Sequence, residues 1–249
     1  MARIRVVVPV TTGFFAENSW RQYSAGARRD TELSIVHLDK GPASIESAYE
    51  AALAVPDTVA KIVQAENDGV NAVICDCMGD PGVEEARELV SIPVIGPGET
   101  AMHVAAMLGH RFSVVHPLER MNPLFDHHAA KTGVTRQLAS IRSLDIPVLE
   151  LDDRPRLLTA LIGQSVKAVE EDGAHLIIFG CTGMAGLAQQ VEDGLRENGI
   201  GDVPVLDPAV LALKIAEALA DMGLSHSKRT YPVPPEKEIV GYELRRRES

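Results

Sequence analysis

The sequence predicts an α/β protein made of two similar halves, each with a parallel sheet covered by helices. One reason is that short β-branched runs alternate with helical stretches along the chain, which is typical of parallel sheets. The other is an internal repeat, in which DGVNAVICDCMGDPG at 68–82 aligns without a gap on DGAHLIIFGCTGMAG at 172–186. We expect a pseudo-twofold axis between the halves and an active site in the cleft between them, because ligands bind beyond the carboxyl ends of parallel strands.

Seven segments are predicted to be strands, because β-branched and other apolar residues dominate them. They are RIRVVVP at 3–9, ELSIVHL at 32–38, NAVICDC at 71–77, IPVIGP at 92–97, RFSVVHP at 111–117, AHLIIFGC at 174–181 and VPVLDP at 203–208. The strands that open the halves both end in proline, at Pro9 and Pro117. Their offset of 108 residues is close to the 104 that separates the repeated cysteine segments.

Capping residues and prolines predict the helix boundaries. Asp80 with Pro81, and Asp207 with Pro208, each indicate an N-terminal cap followed by a first-turn proline. Pro56 predicts that the helical segment around it divides into two helices, since proline breaks an interior hydrogen-bond ladder. The glycines expected to end helices are Gly109, Gly173, Gly199 and Gly223.

The predicted domain division follows from the repeat. Residues 1–98 and 208–249 are expected to form the first half, with the C-terminal helix and tail packing back on it. Residues 99–207 are expected to form the second half.

Composition and charge narrow the class of protein. With 249 residues, 45% hydrophobic and 24% charged, the chain can bury a sizeable core as a globular protein. The net charge of −11 argues against nucleic acid or an anionic membrane as a partner, and no apolar run approaches the roughly 20 residues of a membrane span. A disulfide framework would need more cysteines than three, and an even number of them. We therefore expect reduced thiols and a cytoplasmic location.

The repeat places Cys77 and Cys181 at equivalent strand ends, on opposite sides of the expected cleft. One cysteine, as a thiolate, could remove a proton from a carbon α to a carbonyl. The other, as a thiol, could return a proton to the opposite face of that carbon. A following helix N-terminus would favour the thiolate, and the N–H groups of the two turns would stabilise an enolate. The further candidate substrate-binding residues in and near these turns are Met78, Gly79, Asp80, Thr182, Gly183, Met184, Thr11 and Thr12.

Three alternative interpretations of these segments are a metal site, a disulfide and a dinucleotide-binding loop. Cys75 and Cys77 resemble half a metal site, but no other ligands have zinc-type spacing, so no metal is predicted and Cys75 is expected to pack in the core. A disulfide between Cys77 and Cys181 is conceivable, although a reducing compartment disfavours it. The pattern Gly96-x-Gly98-x-x-Ala101 outlines a dinucleotide fingerprint, yet a proline lies between the glycines and the repeat makes this segment the crossing between halves.

Several longer motifs point to a family. They are GPASIE at 41–46, CMGDPG at 77–82, IPVIGPGETAMHVAAMLGHRFSVV at 92–115, DIPVLEL at 145–151, EEDGAHLIIFGCTGMAGLA at 170–188 and SKRTYPVPP at 227–235. By these the chain resembles the aspartate/glutamate/hydantoin racemase superfamily, most closely its hydantoin and allantoin racemase branch. The resemblance implies two Rossmann-like α/β/α halves, a homo-oligomer, and a racemase or epimerase without cofactor that uses Cys77 and Cys181 as acid/base groups.

The departures from that family bear on the substrate. Relatives usually carry an NPNTT-like stretch where this chain has VPVTT, so Val8 and Val10 replace two amides. His116 and Pro117 stand where relatives tend to have two threonines, and His116 could bind substrate or help set the thiol charge. These changes favour a 5-substituted hydantoin-like small molecule over allantoin with its polar ureido group. The candidate substrate-binding residues of this group are Pro9, Val10, Ser44, His116 and Pro117.

Other functions stay open at this point. A different cysteine enzyme of the superfamily is an alternative: an amino-acid racemase, a cis–trans isomerase of an unsaturated diacid, or a decarboxylase. A decarboxylase needs only one thiol, so the presence of both Cys77 and Cys181 counts against it. A non-catalytic small-molecule-binding protein is the remaining alternative, and two intact cysteine turns count against it.

Overall fold

The computed structural model describes residues 2–14 and 16–241, which form two parallel sheets flanked by helices. The strands are β1 (Ala2–Val8), β2 (Thr31–His37), β3 (Ala72–Cys75), β4 (Val94–Ile95), β5 (Phe112–His116), β6 (Leu138–Ser143), β7 (Leu176–Phe179) and β8 (Val205–Leu206). The α-helices are α1 (Ala16–Gly26), α2 (Ala48–Asn67), α3 (Val83–Leu89), α4 (Pro97–Leu108), α5 (Asn122–Lys131), α6 (Arg154–Glu170), α7 (Ala188–Glu197) and α8 (Pro208–Met222). Within the described residues, none of these helices has the length and apolar character needed to cross a membrane.

The two sheets have the same topology. The first has the strand order β2-β1-β3-β4 and the second β6-β5-β7-β8, and the strand pairs in both are parallel. The repeat extends to the register, because Val6 pairs with Ile74 in the first sheet and Val114 with Ile178 in the second. The predicted fold of two similar parallel α/β halves is confirmed.

Both sheets are buried on two faces, and the helices that follow β4 and β8 connect the halves. The α8 residues Ala209, Ala212 and Leu213 pack on β1 and β3 of the first sheet. From α4, Met102 and Ala105 pack with β5 and β7 of the second sheet. Each helix therefore follows the last strand of one sheet and packs against the other sheet.

The division into 1–98 with 208–249 and 99–207 stays a prediction, with Met1, Phe15 and 242–249 outside the described residues. The described part of the tail contacts the first half. His226 Nε2 lies 2.9 Å from the Val94 backbone nitrogen, and the Lys228 ammonium donates to the carbonyls of Arg87 and Val90.

Two helix-boundary predictions are wrong, and one strand was not predicted. Pro56 does not split its helix, because α2 is continuous and buries Thr58 and Ile62 on one face, which outweighs the one hydrogen bond that proline removes. Asp80 does not cap α3, whose N-cap is Gly82 in a left-handed conformation. Strand β6 (LASIRS) was not anticipated, because it lacks the run of three or more adjacent apolar residues that marks a strand such as β1.

The remaining caps agree with the sequence. Asp207 caps α8 by accepting from the Ala209 N–H, with Pro208 in the first turn. The predicted helix stops at Gly109 and Gly223 are the C-caps of α4 and α8. The other two predicted stops, Gly173 and Gly199, lie in left-handed conformations within three residues after the ends of α6 and α7.

Candidate active site

One cavity lies at the carboxyl ends of both sheets and takes its walls from both halves. Its empty volume is about 780 Å³, including space open to solvent. Among the predicted site residues, those that line it are Cys77, Cys181, Pro9, Val10, Ser44, Met78, Gly79, His116, Pro117, Thr182 and Gly183. The structure thus brings together the two cysteine turns and the two proline-ended strands that the repeat had paired.

The three cysteines are free thiols with two different surroundings. Cys77 follows β3 and Cys181 follows β7, and both line the cavity. Cys75 is fully buried among the side chains of the first half, and its thiol donates to the Pro81 carbonyl at 3.3 Å. The prediction that Cys75 packs in the core is confirmed.

Burial controls the charge of both cavity thiols. It raises the pKa of Cys77 far above its ordinary value and that of Cys181 to about 12, although the Gly79 and Gly183 N–H groups oppose it. The expected lowering by a helix N-terminus is wrong. After Cys77, helix α3 begins only at Val83, whereas Cys181 directly precedes a three-residue 3₁₀ helix at Thr182–Met184. At both cysteines desolvation outweighs the turn N–H groups. Both groups are therefore thiols at neutral pH.

Asp76 is a site residue that the sequence interpretation missed. It lies between Cys75 and Cys77, is 6% exposed and lines the cavity. Its carboxylate accepts hydrogen bonds from Tyr23 at 2.9 Å and Ser19 at 3.2 Å, while burial raises its pKa. Its charge raises the pKa of both cavity thiols. The available signal was an acidic residue at the end of a buried strand, next to a proposed reactive cysteine.

A hydrogen bond joins the two cysteine turns across the cleft. The Thr182 hydroxyl donates to the Asp76 carbonyl at 3.3 Å. Because Thr182 directly follows Cys181 and Asp76 directly precedes Cys77, this contact fixes the two turns relative to each other.

His116 ends β5 and is fully buried on the cavity wall. Its Nε2 lies 2.7 Å from Asn122 Oδ1, and its ring centroid is 4.8 Å from that of Phe125. Burial lowers the pKa of His116 to about 4, more than the hydrogen bond to Asn122 raises it. The imidazole is therefore neutral at physiological pH.

Much of the remaining cavity wall is apolar and comes from segments that do not lie at the ends of strands. The region between β5 and α5 supplies a continuous part of it, and Val8 and Ile45 add to it from the first half. The apolar residues from the second half are Leu118, Met121, Leu124, Phe125 and Val148. Among the described lining residues none is lysine or arginine.

Four predicted residues have other positions. The Thr11 hydroxyl donates to the Pro42 carbonyl, and Thr12 Oγ1 accepts from the Phe14 N–H, so both hold the loop before α1. Met184 is fully buried in the core of the second half. The carboxylate of the fourth residue, Asp80, accepts from the Gly98 and Glu99 N–H groups at 2.9 and 2.8 Å. None of the four lines the cavity that the described residues form.

The Asp80 contacts also bear on the dinucleotide outline. The N–H groups of Gly98 and Glu99 at the start of α4 would have to hold a phosphate. They hold the Asp80 carboxylate instead, and α4 passes between the halves as the repeat predicted. In the part of the chain that the structure describes, no cluster of three or more histidine, cysteine and acidic side chains is arranged to hold a metal ion.

Comparisons with known proteins agree with this architecture. The family model described as Asp/Glu/Hydantoin racemase matches residues 4–216. The hydantoin racemase of Pseudomonas sp. (strain NS671) is 37% identical, covering 96% of this chain and 94% of that protein. The solved structure of allantoin racemase from Klebsiella pneumoniae has a TM-score of 0.89 and 35% identity, covering 97% of both chains. Allantoin racemase from Pseudomonas fluorescens has a TM-score of 0.87 and 36% identity, covering 96% of this chain and 100% of that one. The chain therefore belongs to the Asp/Glu/Hydantoin racemase family, in its hydantoin and allantoin racemase branch.

Proposed function

We propose that this racemase inverts an acidic carbon α to a carbonyl by a two-cysteine acid/base mechanism, on a 5-substituted hydantoin-like small molecule. The observation that carries the proposal is the position of Cys77 and Cys181, which line one cavity from equivalent strand ends of the two halves. No cofactor is needed for this chemistry, because the carbonyl already makes the α proton acidic.

The proposed reaction is a pair of proton transfers. The thiolate of one cysteine removes the α proton, and the thiol of the other donates a proton to the opposite face of the same carbon. Backbone N–H groups of Gly79 and Gly183, which already approach the thiols, stabilise negative charge that develops at the site. The roles of Cys77 and Cys181 exchange for the other enantiomer, so the enzyme works in both directions.

The cavity wall supports an uncharged substrate. A substrate carboxylate would enter a site with Asp76 on its wall and with no cationic side chain among the described lining residues. That arrangement disfavours an acidic amino acid or an unsaturated diacid, since an unpaired buried charge is costly. A hydantoin ring brings no carboxylate, and its carbonyls make the proton at C5 acidic.

The apolar wall supports an apolar group at C5. Met121, Leu124 and Phe125 present aliphatic and aromatic surface to the cavity, so an alkyl or aryl substituent gains from burial there. The ureido group of allantoin would lose hydrogen bonds to water on the same surface. We therefore propose 5-alkyl and 5-aryl hydantoins ahead of allantoin. A cytoplasmic location and assembly into a homo-oligomer are part of the same proposal.

The test is racemisation in deuterated water of single enantiomers of 5-benzylhydantoin, 5-isobutylhydantoin, allantoin, aspartate and glutamate. Loss of optical rotation together with deuterium at C5 is expected for the two hydantoins, above the uncatalysed rate. Cys77→Ser and Cys181→Ser should each lower the rate at least about 1,000-fold, since the opposing proton transfer is lost. The matched control Cys75→Ala should retain activity. Faster turnover of aspartate or glutamate than of either hydantoin would contradict the substrate class.

A further inference from the structure

Asp76 is held by partners from three different parts of the fold. Its carboxylate accepts from the Tyr23 hydroxyl at 2.9 Å and from the Ser19 hydroxyl at 3.2 Å, both on helix α1. Its backbone N–H donates to the Val7 carbonyl of β1 at 2.8 Å. Its own carbonyl accepts from the Thr182 hydroxyl of the second half at 3.3 Å. Asp76 therefore connects helix α1 and the first sheet to the turn on the other side of the cleft.

Both cavity thiols lie next to the ends of this connection. Asp76 is the central residue of a tight turn, in which the Cys77 N–H donates to the Cys75 carbonyl at 2.7 Å. Cys77 directly follows Asp76, and Cys181 directly precedes Thr182. A displacement of Asp76 would thus move Cys77 and would also change the contact that holds the turn of Cys181.

Tyr23 makes the shorter of the two side-chain contacts to Asp76. Its side chain is 1% exposed and packs with residues of β1 and β3 in the core of the first half. A hydrogen bond to an ionised carboxylate is stronger than one between neutral groups, and a buried carboxylate that loses a donor must find another. One alternative donor is the Thr182 hydroxyl, since hydrogen bonding from Thr182 already lowers the pKa of Asp76. Without the Tyr23 hydroxyl, the carboxylate would compete with its own carbonyl for Thr182.

We propose that Tyr23 is a positioning residue, which acts through Asp76 to keep Cys77 and Cys181 on opposite faces of one carbon. This inference rests on the proposed function and deepens it, because it names what holds the two acid/base groups in register. Tyr23 is not among the residues that line the cavity in the described structure. It therefore acts on the reaction through Asp76 rather than through the substrate.

The inference concerns how a transferred proton divides between two outcomes. The thiolate of one cysteine removes the C5 proton of 5-benzylhydantoin and becomes a thiol, and the electron pair stays on the substrate as an enolate. In deuterated water the S–D group of the other cysteine donates to the opposite face, which gives the inverted, deuterated enantiomer. When that second group is out of place, the first cysteine returns a deuteron acquired from solvent. The starting enantiomer then becomes deuterated without inversion.

The ratio of exchange without inversion to inversion therefore reports on the placement of the second thiol. Proton removal is common to both outcomes. A smaller amount of folded enzyme, or slower proton removal, lowers both rates together and leaves the ratio unchanged. A purely structural role of Tyr23 would consequently not alter this ratio.

The test measures the ratio at early conversion for each enantiomer of 5-benzylhydantoin, by chiral chromatography with mass spectrometry. Tyr23→Phe keeps the buried ring and removes only the hydroxyl. Its ratio should be about fivefold above that of the parent, the factor expected when one hydrogen bond of ordinary strength is lost. The matched control is Tyr231→Phe, which removes a tyrosine hydroxyl that accepts from Arg87 away from the cavity. The control should keep the parent ratio.

A double variant tests whether Tyr23 acts through Asp76. Asp76→Ala removes the carboxylate and should itself raise the ratio. In that background Tyr23→Phe should raise the ratio no further, because the group that it holds is gone. A further rise of the same size in the double variant would show that Tyr23 acts by another route and would overturn the inference.

The outcomes distinguish the two levels of the proposal. If the parent does not racemise 5-benzylhydantoin, the proposed function fails, and this inference fails with it. If the parent does racemise it and Tyr23→Phe keeps the parent ratio, the inference about Tyr23 fails alone. Should Tyr23→Phe not fold, Ser19→Ala takes its place, because it removes the other donor to the Asp76 carboxylate. A ratio raised about twofold in Ser19→Ala would support the inference, and the parent ratio would overturn it.

Discussion

The two cysteine turns occupy equivalent places in the two halves, yet they are fastened by different residues. In the first half the carboxylate lies on the turn, where Asp80 accepts from the Gly98 and Glu99 N–H groups at the start of α4. In the second half the carboxylate lies on the helix cap, where Asp207 accepts from the Gly186 N–H of the turn. In each half, one carboxylate thus links the cysteine turn to the helix that crosses to the other half.

The position that holds the carboxylate in one half holds an uncharged residue in the other. The residue at the Asp80 position of the second half is Met184, which is buried in the core. The residue at the Asp207 position of the first half is Gly96, where an added Cβ would lie 2.3 Å from Asp80 Cγ. The space that Asp207 fills in one half is therefore filled by Asp80 in the other. The repeat retains the link between turn and helix, although its residues differ.

Gly96→Ala breaks this arrangement most strongly. The new methyl group overlaps the buried Asp80 carboxylate, so we expect a loss of about 3 kcal/mol in the free energy of unfolding in urea. The control is Gly201→Ala, where a Cβ meets nothing within 4 Å. Adding Asp80→Ala to Gly96→Ala should cost less than the sum of the two single changes. Strict additivity of the two would contradict the shared space.

Asp80→Ala should have the next largest effect, and it should lower the free energy of unfolding more than Asp207→Ala does. Asp80 is buried, and its loss leaves two backbone N–H groups without a partner, for about 2 kcal/mol in urea unfolding. Asp207 is partly exposed, so water can replace its bonds to Gly186 and Ala209, for about 1 kcal/mol. An equal or larger cost for Asp207→Ala would show that the two links are not asymmetric.

Asp76→Asn should have the smallest effect on folding and a defined effect on pH dependence. The charge of Asp76 raises the pKa of both Cys77 and Cys181, so its removal lowers both values. A thiolate then forms at lower pH, and the rising limb of kcat/KM against pH moves to lower pH for both enantiomers. Asp126→Asn, an exposed change of the same kind on α5, is the control. A limb that stays in place or moves to higher pH would contradict the electrostatic role.

Much of the fold was predictable because its signals are local and repeated. The apolar strands, the paired cysteines and the cap at Asp207 follow from composition and from one internal alignment. Strand β6 lies at a sheet edge, as β2 does, but serine and arginine interrupt its apolar residues, so no apolar run marks it. The link from Asp80 to α4 joins residues 18 and 19 positions apart, so local capping rules assigned it to the wrong helix.

The candidate site was predictable only where strand ends define it. The turns after β3 and β7 bring their residues to the cavity by topology alone. Leu124 and Phe125 reach the wall from α5, whose orientation depends on packing between elements distant in sequence. The raised pKa values of the thiols likewise depend on burial, which a local motif next to a helix does not reveal.

Enantiomer-resolved deuterium exchange with Cys77→Ser and Cys181→Ser tests the two-thiol mechanism most directly. Each variant keeps one thiol on one face of the substrate, so each should exchange the C5 proton of one enantiomer of 5-benzylhydantoin without inverting it. The two variants should act on opposite enantiomers, and neither should racemise above background. Exchange of the same enantiomer by both variants, or racemisation by either at the parent rate, would contradict a mechanism that uses Cys77 and Cys181 on opposite faces.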